Sequence, residues 1–285
     1  MIDFRYHAMS LAAVFVALAL GLLLGVTIGD TDLLTNVRGN LERSLREDVN
    51  DARRESATTR RQLESRDQFI RIAYPQMVAG RLTGLRVGVV GSSGATRDVL
   101  ESVGRAIQPA GAELKFTADL VARPEYAALA KSLKIPDVVD SSEITTAQTE
   151  RLGRAVGRRL ARGRERLALR RYVFGRLSGT IDRVRLYVFA RQAPKDLASQ
   201  SGKLYDAFQG GIVTGLAESV GRIVGVEATS AAPSNVDWYN EHGLSTVDDV
   251  EQSAGHYALV LLLGGAKGDY GYKKSADAVI PPVAP

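Results

Sequence analysis

Cysteine is absent from this chain of 285 residues, and histidine and methionine occur only three times each. A disulfide framework, a cysteine-ligated zinc site and thiol catalysis are therefore excluded, although an exported location is not. Aromatic residues make up 6% of the chain and do not interleave with its basic runs, so no nucleic-acid partner is expected. The phosphate-binding motifs are missing too. "VGVVGSSGA" places glycines at Gly88, Gly91 and Gly94 rather than as G-x-G-x-x-G, and Lys267 in "GGAKGDYGYKK" does not stand in a G-x-x-x-x-G-K-[ST] loop. Asp248, Asp249 and Glu251 crowd together in "STVDDVE" without the D-x-D-x-D-G spacing of a calcium loop. The expectation there is a short helical turn capped by Ser245 or Thr246, with acidic residues favoured at its start. His256, before an apolar run, reads as a hydrogen-bonded structural residue. No ordered nucleophile, base and acid can be assembled, so no catalytic site, cofactor or metal-ligand set is expected.

One long apolar run is present. Met9 to Ile28 are twenty residues without a charge; at roughly 1.5 Å per residue they form a helix of about 30 Å, one hydrocarbon core. A secretory signal has a shorter core and a small-residue cleavage site, which "ALALG" at Ala17 to Gly21 imitates. Cleavage there strands "LLLGVTI" at the new N-terminus, so an uncleaved anchor is the reading adopted. Arg5, His7 and the terminal amine precede the span, and Asp30 and Asp32 follow it, which places the N-terminus in the cytoplasm and the rest of the chain outside. Gly21, Gly25 and Gly29 fall four apart on one helix face, where small residues let two helices approach closely. The net charge of +5 favours anionic partners, for an outward domain lipid headgroups or wall polymers.

The polar segment to Pro75 reads as one long helix ended by that proline. Leu45, Val49, Ala52, Ser56, Thr59, Leu63, Arg66 and Ile70 trace a weak heptad seam, and a dimeric stalk is expected. From Gly84 onward, apolar runs alternate with helical spacing. "LRVGVV", "LKFTADL", "VRLYVFA", "RIVGVEA" and "YALVLLLG" are strand candidates. Between Ile144 and Arg176 lies a basic amphipathic helix with Leu152, Val156, Leu160 and Leu167 in its stripe, broken near Gly163. The expected fold is α/β: a single N-terminal transmembrane helix, a helical coiled-coil-like stalk, then a mostly parallel sheet with helices on both faces. In residue numbers this is a cytoplasmic start at 1–8, an anchor at 9–29, a stalk at 30–74, an α/β domain at 80–276 and a Pro-rich tail at 277–285. Partners expected from it are the membrane, a second copy through anchor and stalk, and another envelope protein.

Two segments together carry a resemblance. "RYHAMSLAAVFVALALGLLLG" at the N-terminus and "GLSTVDDVEQSAGHYALVLLLGGAKGDYGYKKSADAVIPP" at the C-terminus resemble the mycobacterial copper transport protein B (MctB) family of actinobacterial envelope proteins. Its C-terminal signature here comprises Ser245, Thr246, Val247, Asp248, Asp249, Gly255, His256, Gly268, Tyr270 and Gly271; where the family carries an imidazole before Tyr270, this chain has Asp269. The resemblance implies an envelope membrane protein in copper export or homeostasis, with copper its only implied metal. Soft ligands suited to copper(I) are few: Met1, Met9 and His7 cluster near the anchor, and Met77, His242 and His256 are scattered. The residues by themselves also fit a different reading, a non-catalytic bitopic scaffold whose outer domain binds another envelope protein in wall remodelling or cell separation.

Overall fold

A computed structural model describes residues 4–28, 31–92, 95, 97–136, 144–164 and 166–282, so Met1 and Gly29 of the expectations above lie outside the described residues. The chain divides into two compact units, Met1–Gln68 and Phe69–Pro285.

The first unit holds helix α1 (Phe4–Ile28) and most of helix α2 (Thr31–Val78). Within α1, His7–Val26 has a mean hydropathy of 2.5 and no buried residue, and by length and composition it is the one described helix able to cross a membrane. Nothing lies within 4 Å of where a Cβ would stand on Gly21 or Gly25. Along α2 the seam residues Leu45, Val49 and Leu63 are exposed. Arg54–Asp51 and Arg60–Glu64 form exposed ion pairs one turn apart, at 3.3 and 3.2 Å. Proline does not end this helix: α2 continues through Pro75 to Val78. Proline removes one helical hydrogen bond, but the residues on either side are held. The Tyr74 hydroxyl donates to Ala106 O at 2.7 Å, and Val78 is fully buried.

The second unit is built on strands β1 (Arg86–Gly91), β2 (Glu113–Leu120), β3 (Phe174–Gly179), β4 (Leu186–Ala190), β5 (Arg222–Val226), β6 (Ser245–Val247) and β7 (Asp269–Tyr270). Among the described residues they form one sheet in the order β3-β2-β1-β4-β5-β6-β7. Every pairing is parallel except β2 with β3. The central strands are buried along almost their whole length, as strands of parallel sheets are. Alternation divides their side chains between two cores. Tyr187 and Phe189 join Leu152, Val156, Phe208 and Ile212 in one; Val87, Val89 and Val188 join Val103, Leu259 and Leu263 in the other.

Three expectations are corrected. "YALVLLLG" is not a strand but most of helix α9 (Ser253–Gly264), buried almost all round, and a short apolar run of that kind carries no periodicity to tell the two apart. The strand beside β5 is instead Ser245–Val247, so Ser245 and Thr246 pair in the sheet and cap no turn. The basic stretch is helix α5 (Thr146–Ala161) and helix α6 (Arg166–Tyr172), parted at Gly163 with φ of +62°, and it gives way to β3 at Phe174. The apolar stripe holds through Leu160 but not to Leu167, which is 87% exposed.

The buried face of α5 packs on helix α7 (Gln200–Ala217) through glycine rather than leucine alone. A Cβ on Gly153 would stand 2.2 Å from Phe208 O, and one on Gly157 2.3 Å from Ile212 O. Reciprocally, a Cβ on Gly211 or Gly215 would stand 2.1 Å from Glu150 O or Arg154 O. Two G-x-x-x-G faces therefore meet backbone to backbone, a spacing no larger residue permits. Gly157→Ala should lower unfolding stability by about 1–3 kcal/mol through overpacking, read from the urea midpoint. Gly104→Ala, whose Cβ would meet only Leu114 Cδ2 at 3.6 Å, should hold or raise it.

Candidate functional site at the carboxyl ends of the strands

In an open parallel sheet, ligands bind outside the carboxyl ends of the strands where the strand order reverses. Here β1 leads to β2 on one side while β4 lies on the other, so the reversal falls between β1 and β4. Ser92 follows β1, Arg191 and Gln192 follow β4, and Glu227 follows β5. These loops line a cavity of about 130 Å³ with Val99 and Ala231. Ser92 Oγ accepts from Gln192 N at 2.5 Å, which ties the first two loops together.

Behind the cavity lies a buried polar network. Glu227 is 2% exposed and its carboxylate is saturated. Oε1 accepts from Ser234 Oγ at 2.6 Å and Lys273 Nζ at 2.5 Å. Oε2 accepts from the backbone N and the Nδ2 of Asn235, at 2.6 and 2.8 Å. Asn235 Oδ1 in turn accepts from Arg191 Nη1, and Arg191 Nη2 donates to Asp206 Oδ1 at 2.5 Å. The guanidinium lies 4.4 Å from the centre of the Trp238 ring, a cation–π contact. Trp238 belongs to helix α8 (Val236–Glu241). Next to it, the Tyr239 hydroxyl accepts from Arg191 N at 2.7 Å and lies 2.8 Å from Val226 O. Burial pushes that phenol far above its ordinary range. Its ring lies on Gly225, where a Cβ would stand 2.5 Å from Cδ1, so only glycine fits in β5 at that point.

The signature residues of the C-terminal segment build the support for this network. Asp248 accepts from Tyr272 N at 2.8 Å and Lys273 N at 3.1 Å. That clamp needs Gly271, which has φ of +140° and whose Cβ would stand 1.9 Å from Asp248 Oδ1. It delivers Lys273 to Glu227. Ser245 Oγ accepts from Gly268 N at 3.1 Å, and Thr246 Oγ1 donates to Asp269 Oδ1 at 2.7 Å. Asp269 Oδ2 accepts from Asn240 Nδ2 at 2.8 Å, so the acid standing in the family's imidazole position is occupied as an acceptor. The Tyr270 hydroxyl donates to Lys267 O, and Val247 is core. Asp249 is fully buried against Gly255, and both its carboxyl oxygens lack a partner. His256 Nε2 is likewise unpartnered, contrary to the expected hydrogen-bonded role, and its ring centre lies 5.8 Å from that of Tyr74.

Sequence reading missed Arg191, Glu227, Asn235 and Lys273. The available signal was a charge closing an apolar strand, as in "VFAR" and "VGVE". Of the glycines compared with a dinucleotide fingerprint, Gly88 makes room for Phe116 and Tyr187, and Gly94 lies outside the described residues. Among the described residues of the second unit, His242 and His256 join no group of metal-ligating side chains. Met9 and Met77 are exposed, and His242 stacks on Trp238 at 4.1 Å with its Nδ1 2.8 Å from Trp238 O. No group of three or more His, Cys, Asp or Glu side chains that could hold a metal occurs among the described residues. This donor set does not fit a resident copper site.

A sequence model described as "Copper transport outer membrane protein, MctB" matches residues 1–181 and 188–281. Three curated relatives, each named "Copper transporter MctB", come from Mycobacterium bovis and from two strains of Mycobacterium tuberculosis. Each is 30% identical over 142 residues, 50% of this chain and 44% of the relative, so the match spans under half the length of these relatives.

The buried acid and imidazole make opposite contributions to stability. Burial, then the neighbouring Asp248 and Glu251, push Asp249 up from 3.8 to about 7. Its contribution is fully present below its unfolded pKa near 4 and is lost as pH rises toward 7. Burial, and then Arg105, push His256 down from 6.5 to about 4. Its contribution is fully present above 6.5 and is lost as pH falls toward 4. Relative to wild type, Asp249→Asn should lose stability as pH falls from 6.5 to 4, and His256→Gln should gain it over the same interval. Urea midpoints across that range check both signs; variant curves running parallel to wild type would contradict them.

Proposed function

The chain belongs to the MctB family, and from that premise we propose that it is a single-span cell-envelope protein acting in copper export or homeostasis. The N-terminus lies in the cytoplasm and the α/β domain outside. Two copies pair through the glycine face of α1 and the heptad seam of α2, and helices cover both faces of the sheet. The domain carries no catalysis. The observation that carries this reading is the family match, which takes in the apolar helix and nearly the whole α/β domain. The names of the relatives support copper over a scaffold for wall remodelling.

The donor chemistry bears on how such a role works. With no cysteine and no clustered soft donors among the described residues, the outer domain does not store the ion. Copper is cargo, and any path across the bilayer in this chain runs between copies of α1, where Gly21 and Gly25 allow close approach. The outer domain then serves as a rigid, anchored platform for a partner in the envelope.

Deletion of the chain should raise cellular copper and lower copper tolerance, and wild type should restore both. Gly21→Leu with Gly25→Leu should fail to restore them while still reaching the membrane. Unchanged copper content and tolerance with altered cell separation would replace this reading by the scaffold one.

A further inference from the structure

A larger recess, about 650 Å³, lies between helix α3 (Arg97–Ile107) and strands β2 and β3. Its volume is that of a small-molecule site. The strands supply its floor. Phe116, Ala118 and Leu120 of β2 point into the core on the other side of the sheet, which leaves Thr117 and Asp119 facing the recess, opposite Ser178 and Arg176 of β3. The helix wall brings Arg97 and Leu100, and Leu114 beside them is 40% exposed.

The polar groups in this recess are incomplete. Asp119 Oδ1 is buried and has no hydrogen-bond partner. Arg176 and Arg97 act on its carboxyl through their charge, opposing the burial that raises its pKa, yet neither closes an ion pair on it. Arg105 differs: it donates to Ser102 Oγ at 2.6 Å and lies 4.0 Å from Glu101. The recess therefore holds an acceptor that lacks a donor, two guanidiniums from different elements that close no ion pair within 4 Å among the described residues, and an apolar strip between them. A carboxylate takes one guanidinium bidentately, whereas a phosphate has oxygens enough for two. An unpaired buried acceptor is satisfied by a hydroxyl.

We propose that this recess binds a phosphorylated polyol, with Arg97 and Arg176 on the phosphate, Asp119 accepting from a ring hydroxyl, and Leu100 and Leu114 against the C–H face of the ring. The same chemistry is offered by a soluble sugar phosphate and by a phosphoinositide-type lipid headgroup. This site is independent of the copper reading.

The test is calorimetric titration of the full chain in neutral-lipid nanodiscs with glucose 1-phosphate and inositol 1-phosphate. At least one should bind saturably. Asp119→Asn and Arg176→Gln should each weaken that binding about tenfold or more while leaving the thermal unfolding midpoint unchanged. Glucose, inositol and inorganic phosphate alone should bind about tenfold more weakly or worse. Absence of saturable binding by either phosphorylated compound overturns the proposal. So does equal binding by the two variants, or inorganic phosphate binding as tightly as the polyol phosphates. Nanodiscs containing phosphatidylinositol identify the source: loss of the soluble ligand's binding assigns the site to a lipid headgroup, and undiminished binding assigns it to a soluble compound.

Discussion

The arrangement at the carboxyl end of the sheet depends on one buried carboxylate. Glu227 closes β5 at 2% exposure, and an ion taken that far from water is tolerated only when its partners are close and complete. Four donors from two stretches of chain supply them: Ser234 with the backbone and side chain of Asn235, and Lys273. The need to satisfy Glu227 fixes the loop after β5, and with it α8. Asn235 then positions Arg191, and Arg191 lies over the Trp238 ring and is held by Asp206. From the other side Asp248 and Gly271 exist to bring Lys273 into reach. The C-terminal segment is a structural tie in which Asp248 and Gly271 place Lys273, whereas Asp249 and His256 of the same signature keep unpartnered polar atoms.

That result separates the cavity at the reversal of the sheet from the recess over β2 and β3. Beside Glu227 the cavity is small and the Glu227 carboxylate is fully paired, although Arg191 Nε has no partner. The recess over β2 and β3 is large, and Asp119 Oδ1 within it has no partner. Buried polar groups are nearly always paired, and of the unpartnered ones among the described residues only Asp119 Oδ1 faces a recess of small-molecule size. Neither recess is lined by histidine or methionine.

Much of this was legible in the sequence. Strands β1, β2, β4 and β5 each show a short apolar run beside glycine or charge, and a parallel α/β order follows from them. The long apolar helix α1 follows from the length of its uncharged run. What escaped was decided by tertiary context. Ser245–Val247 is too short to announce a strand, and α9 is so evenly apolar that its helical period vanishes. The turn near Pro75 stayed helical because Tyr74 and Val78 are anchored by a core the local sequence does not name. The glycines of α5 and α7 looked like weaknesses in helices, and their use appears only when the two faces meet. Glu227 and Lys273 stand 46 residues apart, and no local pattern connects them.

The central claim is that the C-terminal segment is held by the buried Glu227–Lys273 pair. It is tested most directly by comparing the unfolding free energies of wild type, Lys273→Met, Glu227→Leu and the double variant. Leaving one buried ion unpaired costs about 3–5 kcal/mol, so each single variant should lose on that order and the double variant should lose much less than the sum. Single losses under about 0.5 kcal/mol, or losses that simply add in the double variant, would contradict the account.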